Sequence, residues 1–321
     1  MKPVSTQWRE TIAADEPARF QRYGEQLVEL QRRAREPGRA LHRNQRLGLR
    51  ATFEVLADLP PHARHGIFET PRRYDAWIRL SNGSAMRAAD KQPDVRGFAV
   101  RVLDVDGPGA LGGATRAQCF LFINSVAFAF PSAAAFMDVA LAASRGPLSA
   151  LRQVIRQRGV LGALKLARAL VKPFAGFARE PFHSAAPIAC GPYAAKLRLV
   201  ASGPDTGPPA RRDDWSADVT ARLARGDLAW NVQLQFFVDE ATTPIEDPTV
   251  PWPEAESPFV TVARLVAPAQ DPHSSDGKAL ASAIEAGKFD PWVALAAHRP
   301  LGEIMRARKV AYLVSQTGRG A

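Results

Sequence analysis

The segment from residue 230 to residue 236 reads Trp230-Asn231-Val232-Gln233-Leu234-Gln235-Phe236. Large apolar side chains alternate with polar ones along it, a period of two that is typical of a β-strand with one buried face. Seven further segments read as strands, and turn residues separate them. Eight such strands favour a closed antiparallel barrel over a parallel sheet. The predicted strands are Leu49–Leu56, Tyr74–Leu80, Arg96–Leu103, Ala117–Ile123, Lys196–Ala201, Val219–Leu223, Asn231–Val238 and Phe259–Ala267.

Helical periodicity occurs before, between and after these strands. The first predicted helix follows a loose N-terminal arm and carries Phe20, Tyr23 and Leu27 at helical spacing. A second helical region is inserted between the fourth and fifth strands. We therefore predict an α+β fold in which one domain, residues 1–321, holds an eight-stranded antiparallel barrel. The predicted bounds are 1–35 for the arm and first helix, 45–267 for the barrel, about 132–177 for the helical insertion and 273–316 for the C-terminal helices.

Composition limits the classes of partner and compartment. The chain has 321 residues, of which 46% are hydrophobic, enough to bury a substantial core. The net charge of +10 is not gathered into a dense Lys/Arg tract, which argues against a nucleic-acid partner. The two cysteines, Cys119 and Cys190, form neither a CxxC metal motif nor a disulfide framework. With no apolar signal segment and no run of about 18 apolar residues, we expect a cytoplasmic location.

One predicted helix of the insertion is basic. Lys165, Arg168 and Lys172 fall on one of its faces, and apolar residues lie elsewhere. A basic amphipathic helix can lie on an anionic membrane surface, so peripheral membrane contact is one interpretation. The other is a surface helix that packs its apolar side on the barrel.

An arginine and a tyrosine lie four residues apart in the last predicted helix. This spacing places the Arg308 guanidinium beside the Tyr312 phenol on one helix face. A nearby cation favours the phenolate, which is an anionic ligand suited to ferric iron. The same spacing is common on ordinary helices, so it indicates a haem ligand only if the rest of the chain supplies a haem pocket.

Basic side chains near a histidine suit the carboxylates of haem. Arg39 lies close to His42, just before the first strand, while Arg79 and Arg96 lie in strands with apolar neighbours. A buried guanidinium needs an anion, and the two haem propionates would provide it. Gly97 follows Arg96 and lets another group approach the strand closely.

The order of these motifs resembles that of the haem catalases. The resemblance covers roughly residues 36–316 and is closest to the short catalase-related peroxidases. A proline-rich loop over residues 244–258 is also similar to that short branch. The motifs are Arg39-x-x-His42, Phe53-Glu54-Val55, Arg79-Leu80-Ser81, Arg96-Gly97-Phe98-Ala99-Val100, Phe130-Pro131-Ser132 and Arg308-x-x-x-Tyr312.

The resemblance implies a cofactor, a reaction and a set of residues. The cofactor would be haem b, with Tyr312 as the ligand of its iron, and the substrate hydrogen peroxide or an organic hydroperoxide. His42 would be the distal acid–base residue, and Ser81 would orient it. An organic or lipid reductant is a further expected partner, and the arm and proline-rich loop suggest a homodimer. The other implied cofactor contacts are Arg39, Leu41, Arg79, Phe122, Phe130 and Arg308.

The fourth strand departs from the catalase pattern, which places a distal asparagine before the aromatic run. Ungapped spacing puts Arg116 or Ala117 there, and Gln118 would need a register slip of one residue, which turns a side chain to the other face. Loss of that amide puts fast dismutation of hydrogen peroxide in doubt. Two alternatives therefore stay open: a fatty-acid hydroperoxide isomerase or dehydratase, as in catalase-like allene oxide synthases, and a haem-binding protein without turnover.

Overall fold

An antiparallel sheet forms the centre of the computed structural model, which describes residues 1–33, 42, 44–83, 90, 92, 94–170, 173–203 and 214–317. Arg39, Leu41 and Lys172 of the predictions above lie outside these residues. The strands are β1 Asn44–Val55, β2 Arg73–Asn82, β3 Arg96–Pro108, β4 Ala114–Ile123, β5 Phe182–His183, β6 Ile188–Cys190, β7 Tyr193–Ala201, β8 Leu228–Phe236 and β9 Phe259–Ala267.

The sheet closes on itself. Its strand order is β5-β4-β3-β2-β1-β9-β8-β7-β6, and β5 also pairs with β7, so eight strands form a ring with β6 added at its edge. The described helices are α1 Glu16–Arg33, α2 Ala133–Ala143, α3 Pro147–Leu170, α4 Trp215–Leu223, α5 Ser275–Ala286 and α6 Glu303–Thr317. The predicted α+β fold, an eight-stranded antiparallel barrel with a helical insertion and C-terminal helices, is confirmed.

One predicted strand was wrong. Residues Val219–Leu223 form the end of α4, not a strand. Asp214 caps this helix, because its side chain accepts a hydrogen bond from the backbone N–H of Ala217. Asp218 and Arg222, four residues apart, form a buried ion pair at 3.1 Å. The eighth strand of the barrel is instead the two-residue β5, which is too short to show any alternation.

The two faces of the barrel strands differ in chemistry. In β2, Ile78 and Leu80 point into the apolar barrel core, where burial of each such side chain contributes roughly 1.5–3 kcal/mol. Arg79 and Ser81 alternate with them and therefore lie on the outer face, yet each is only 3% exposed. Polar side chains are thus buried between the outside of the barrel and the helices that cover it.

The N-terminal arm, predicted to be loose, is held along the surface. The Trp8 indole N–H donates to the carbonyl of Pro192 at 2.8 Å, and Lys2 forms an ion pair with Asp239 at 2.8 Å. The arm leads into α1, which packs against α6. Among the described helices, none is both long enough and apolar enough to span a bilayer.

Candidate active site

A large cavity lies between the outer face of β2–β4 and helices α1, α2 and α6. Its volume is about 240 Å³, and it is partly open to solvent. Its walls are mainly apolar, so the few polar groups that reach it stand out as candidates for chemistry. These groups are Tyr23, His42, Arg79, Ser81, Ser184, Arg308 and Tyr312.

His42 is held on the barrel side of the cavity. Its ring atom Nδ1 lies 3.1 Å from the hydroxyl oxygen of Ser81, and its backbone N–H donates to the carbonyl of Gly83. Its φ of 49° is uncommon for a residue other than glycine, and such backbone strain persists only where the surroundings impose it. The two residues predicted to act together, His42 and Ser81, are therefore in contact.

Gly97 makes room for this contact. It pairs with Ser81 across β2 and β3, and a Cβ atom at Gly97 would lie 2.5 Å from Nδ1 of His42. No real side chain tolerates that distance, so the imidazole rests directly on glycine backbone. The sequence marked Gly97 as a point of close approach, and the approaching group is the histidine.

Arg79 anchors the backbone next to His42. Its guanidinium donates to the backbone carbonyl of His42 at 2.9 Å and pairs with the carboxylate of Glu285, on α5, at 2.8 Å. The anion that a buried guanidinium requires is thus supplied by the protein itself. No sequence signal pointed to Glu285, because it lies 206 residues away from Arg79.

Arg308 and Tyr312 lie on the helix side of the cavity. The Arg308 guanidinium donates a hydrogen bond to the Tyr312 hydroxyl oxygen at 2.9 Å, as the four-residue spacing predicts. The same guanidinium carbon lies 5.2 Å from the centre of the tyrosine ring. The Tyr312 hydroxyl oxygen therefore has a charged hydrogen-bond donor.

Helix α6 is fixed by a second arginine, Arg306, nearly two turns before Tyr312. Its guanidinium hydrogen bonds to Glu10 and Glu16 of the arm region and to Glu246 of the proline-rich loop, at 2.7, 2.8 and 3.1 Å. The hydrogen bonds from Arg306 hold the pKa of Glu16 below its ordinary value. Arg306 was not a sequence candidate, and its three partners could not be identified from local spacing.

Three other sequence candidates differ in their position relative to the cavity. Phe122 belongs to the barrel core and also lines the cavity. Phe130 is not among the described lining residues and packs behind Phe128 and Phe136, with ring centres 5.8 and 5.6 Å away. The Gln118 side chain accepts from the backbone N–H of Leu295 at 2.9 Å and does not line the cavity either.

His298, which lies outside the cavity, has structural partners. His298 is fully buried, and its Nε2 accepts a hydrogen bond from the backbone N–H of Ile67 at 3.0 Å. Burial lowers the pKa of His298 to about 4, so the ring is neutral at pH 7. In the described ranges no group of three or more His, Cys, Asp or Glu side chains is arranged to hold a metal ion.

The fold of the chain matches that of solved catalases. The chain is similar to a fungal catalase (TM-score 0.68, 16% identity, 97% of this chain and 64% of that one). It is also similar to a bacterial catalase (TM-score 0.67, 13% identity, 99% of this chain and 63% of that one). A third similar structure is catalase A from Saccharomyces cerevisiae (TM-score 0.67, 15% identity, 99% of this chain and 67% of that one). The chain thus spans about two thirds of the length of these catalases. No protein-family profile and no curated protein sequence matches it. The protein has the catalase fold.

Proposed function

We propose that the protein is a haem-dependent oxidoreductase that processes peroxides, of the peroxidase or catalase type. One observation carries the proposal: the His42–Ser81 pair and the Arg308–Tyr312 pair line the same apolar cavity from two different walls. The first pair suits proton transfer, and the second suits an anionic ligand for iron.

The residues present fit haem b. Tyr312 would ligate the iron, and the hydrogen bond from Arg308 would stabilise its phenolate. The apolar walls suit a macrocycle, and Phe122 would contact it at the edge of the barrel. Bound here, haem would supply the redox chemistry of its iron, while the protein supplies orientation and electrostatics.

His42 would carry the acid–base step. Neutral imidazole takes a proton from one peroxide oxygen and returns it to the other, a contribution of typically 10²–10⁴-fold in rate. The contact with Ser81 fixes the ring, and Arg79 fixes the backbone that bears it. His42 is thus held at both its ring and its backbone.

Two substitutions test the assignment. Tyr312→Phe should abolish the absorption spectrum of tyrosine-ligated ferric haem, because the ligand oxygen is gone. His42→Gln should retain haem and lose about 10²–10⁴-fold in peroxide turnover. Tyr23→Phe is the matched control, since Tyr23 lines the same cavity from α1 and should leave the haem spectrum unchanged. Full turnover in His42→Gln, or an unaltered spectrum in Tyr312→Phe, would reject the proposal.

The apolar lining of the cavity favours a second candidate, the isomerisation or dehydration of fatty-acid hydroperoxides. Leu27, Phe136 and Met137 give the cavity apolar walls that suit an acyl chain. Gln118 also offers no amide to the cavity. Oxygen release from hydrogen peroxide would support a catalase activity. Conversion of a lipid hydroperoxide to a rearranged product would support the isomerase or dehydratase activity. A haem spectrum with neither reaction would indicate a haem-binding protein.

We also propose a cytoplasmic location and a homodimer. A cytoplasmic location rests on the low cysteine content: Cys119 and Cys190 are buried and form no CxxC motif. A homodimer rests on the arm and the proline-rich loop. Light scattering of the purified protein would decide the oligomeric state, and a monomer at micromolar concentration would reject the dimer.

A further inference from the structure

Helix α3 exposes apolar side chains to solvent. Ten large hydrophobic residues are exposed in the described chain, and five of them lie on this helix, so the exposure is concentrated here. They are 47% to 77% exposed. The five residues are Leu148, Leu151, Val160, Leu161 and Leu164.

These residues are not the packing side of the helix. Val154 and Ala163 of α3 are buried, and Gln157 donates to the carbonyl of Ala135 on α2. Helical spacing puts Leu148 on the opposite side from Gln157. The interpretation of the basic helix as one that simply packs its apolar side on the barrel therefore does not explain these leucines.

The same surface is cationic. No acidic residue occurs between Asp138 and Glu180, a stretch that contains the whole of α3. Cations lie beside the exposed apolar residues in both halves of the helix, which is broken by the non-helical backbone of Gly159. The exposed cations of α3 are Arg152, Arg156, Lys165 and Arg168.

We propose that this face of α3 docks on the anionic surface of a phospholipid bilayer. Leucine and valine side chains would enter the boundary between headgroups and acyl chains, and the arginine and lysine side chains would contact anionic headgroups. A second copy of the chain is a poorer partner, because a twofold interface would bring this cationic face against itself. Helix α3 packs on α2, whose Phe136 and Met137 line the candidate active site, so the bilayer would lie one helix away from the cavity.

Vesicle sedimentation of the full-length protein tests the proposal. The protein should sediment with vesicles made of equal parts phosphatidylglycerol and phosphatidylcholine, and much less with phosphatidylcholine alone. Leu161→Glu/Leu164→Glu should abolish binding. Arg152→Gln/Arg156→Gln should weaken it roughly 25-fold, since each cation near an anionic surface contributes about fivefold. Leu111→Glu is the control, because Leu111 is 54% exposed in the turn between β3 and β4.

Several results would overturn the proposal. Binding no stronger to anionic than to neutral vesicles would do so, as would equal binding by the wild type and both α3 variants. Loss of an oligomer in Leu161→Glu/Leu164→Glu, seen by light scattering without any vesicle binding by the wild type, would assign the face to a second copy. If that variant fails to fold, the arginine pair still decides. Vesicle binding requires neither haem nor turnover, so its failure would leave the proposed function unaffected.

Discussion

Substitution of Gly97 by alanine is the most direct test of how the histidine is positioned. The new Cβ would lie 2.5 Å from Nδ1 of His42 and 2.7 Å from the hydroxyl oxygen of Ser81. An ordinary contact begins near 3.4 Å, so the ring must move by about 0.9 Å. The backbone of β3 cannot yield instead, because Gly97 is paired with both Ser81 and Ile123.

The expected losses of folding stability and of reaction rate follow from that displacement. The His42–Ser81 contact at 3.1 Å would be lost, which costs about 0.5–1.5 kcal/mol of folding stability. Misplacing a catalytic group by about 1 Å costs about 10²-fold in rate. Gly97→Ala should therefore remain folded, bind haem through Tyr312 and turn over peroxide about 100-fold more slowly.

The assay combines haem absorption, thermal unfolding and steady-state peroxide turnover. Gly226→Ala is a suitable control, since no atom lies within 4 Å of the position that its Cβ would take. Wild-type turnover in a folded, haem-loaded Gly97→Ala protein would refute the reasoning. It would show that the observed position of His42 is not the one used in the reaction.

Three further predictions concern stability, measured by urea unfolding. Arg306→Gln should destabilise the protein by about 3 kcal/mol, because it leaves three carboxylates without their shared cation; a change below about 1 kcal/mol would contradict this. His298 has a pKa of about 4 in the folded state and 6.5 in its ordinary state, so the unfolded chain binds more protons between these values. Stability should fall by about 3 kcal/mol as the pH drops from 6.5 to 4, and His298→Gln should remove that part of the dependence. Burial lowers the pKa of Lys196 from 10.5 to about 8, so stability should rise with pH over this interval in the wild type and less in Lys196→Met.

Local spacing predicted those features that depend on neighbours in sequence. Alternation over residues 230–236 identified β8 because one face of that strand is buried in the barrel and the other is not. The four-residue spacing of Arg308 and Tyr312 predicted their contact because residues four apart lie on the same face of a helix. Val219 and Leu223 misled because a short apolar segment has the same composition in a buried helix as in a strand.

Contacts between distant segments were beyond local patterns. The partner of Arg79 is Glu285, and the sequence shows only that an arginine among apolar residues needs some anion. From the sequence alone, an external carboxylate such as a haem propionate would satisfy that requirement as well as a protein carboxylate. The orientation of α3 is another case, because exposed leucines on a cationic helix are visible only once its packing side is known.

The Arg306 cluster has a consequence for the order in which the candidate site is completed. Glu10 and Arg306 are 296 residues apart, and the helix held by their contact bears Tyr312. During synthesis the barrel and its histidine would emerge from the ribosome well before this helix. The barrel wall of the cavity would therefore be exposed to solvent until helix α6 is synthesised. We expect that the proposed cofactor would enter only after residue 312 has been released and that the early segment holding Glu10 and Glu16 would then secure the late one.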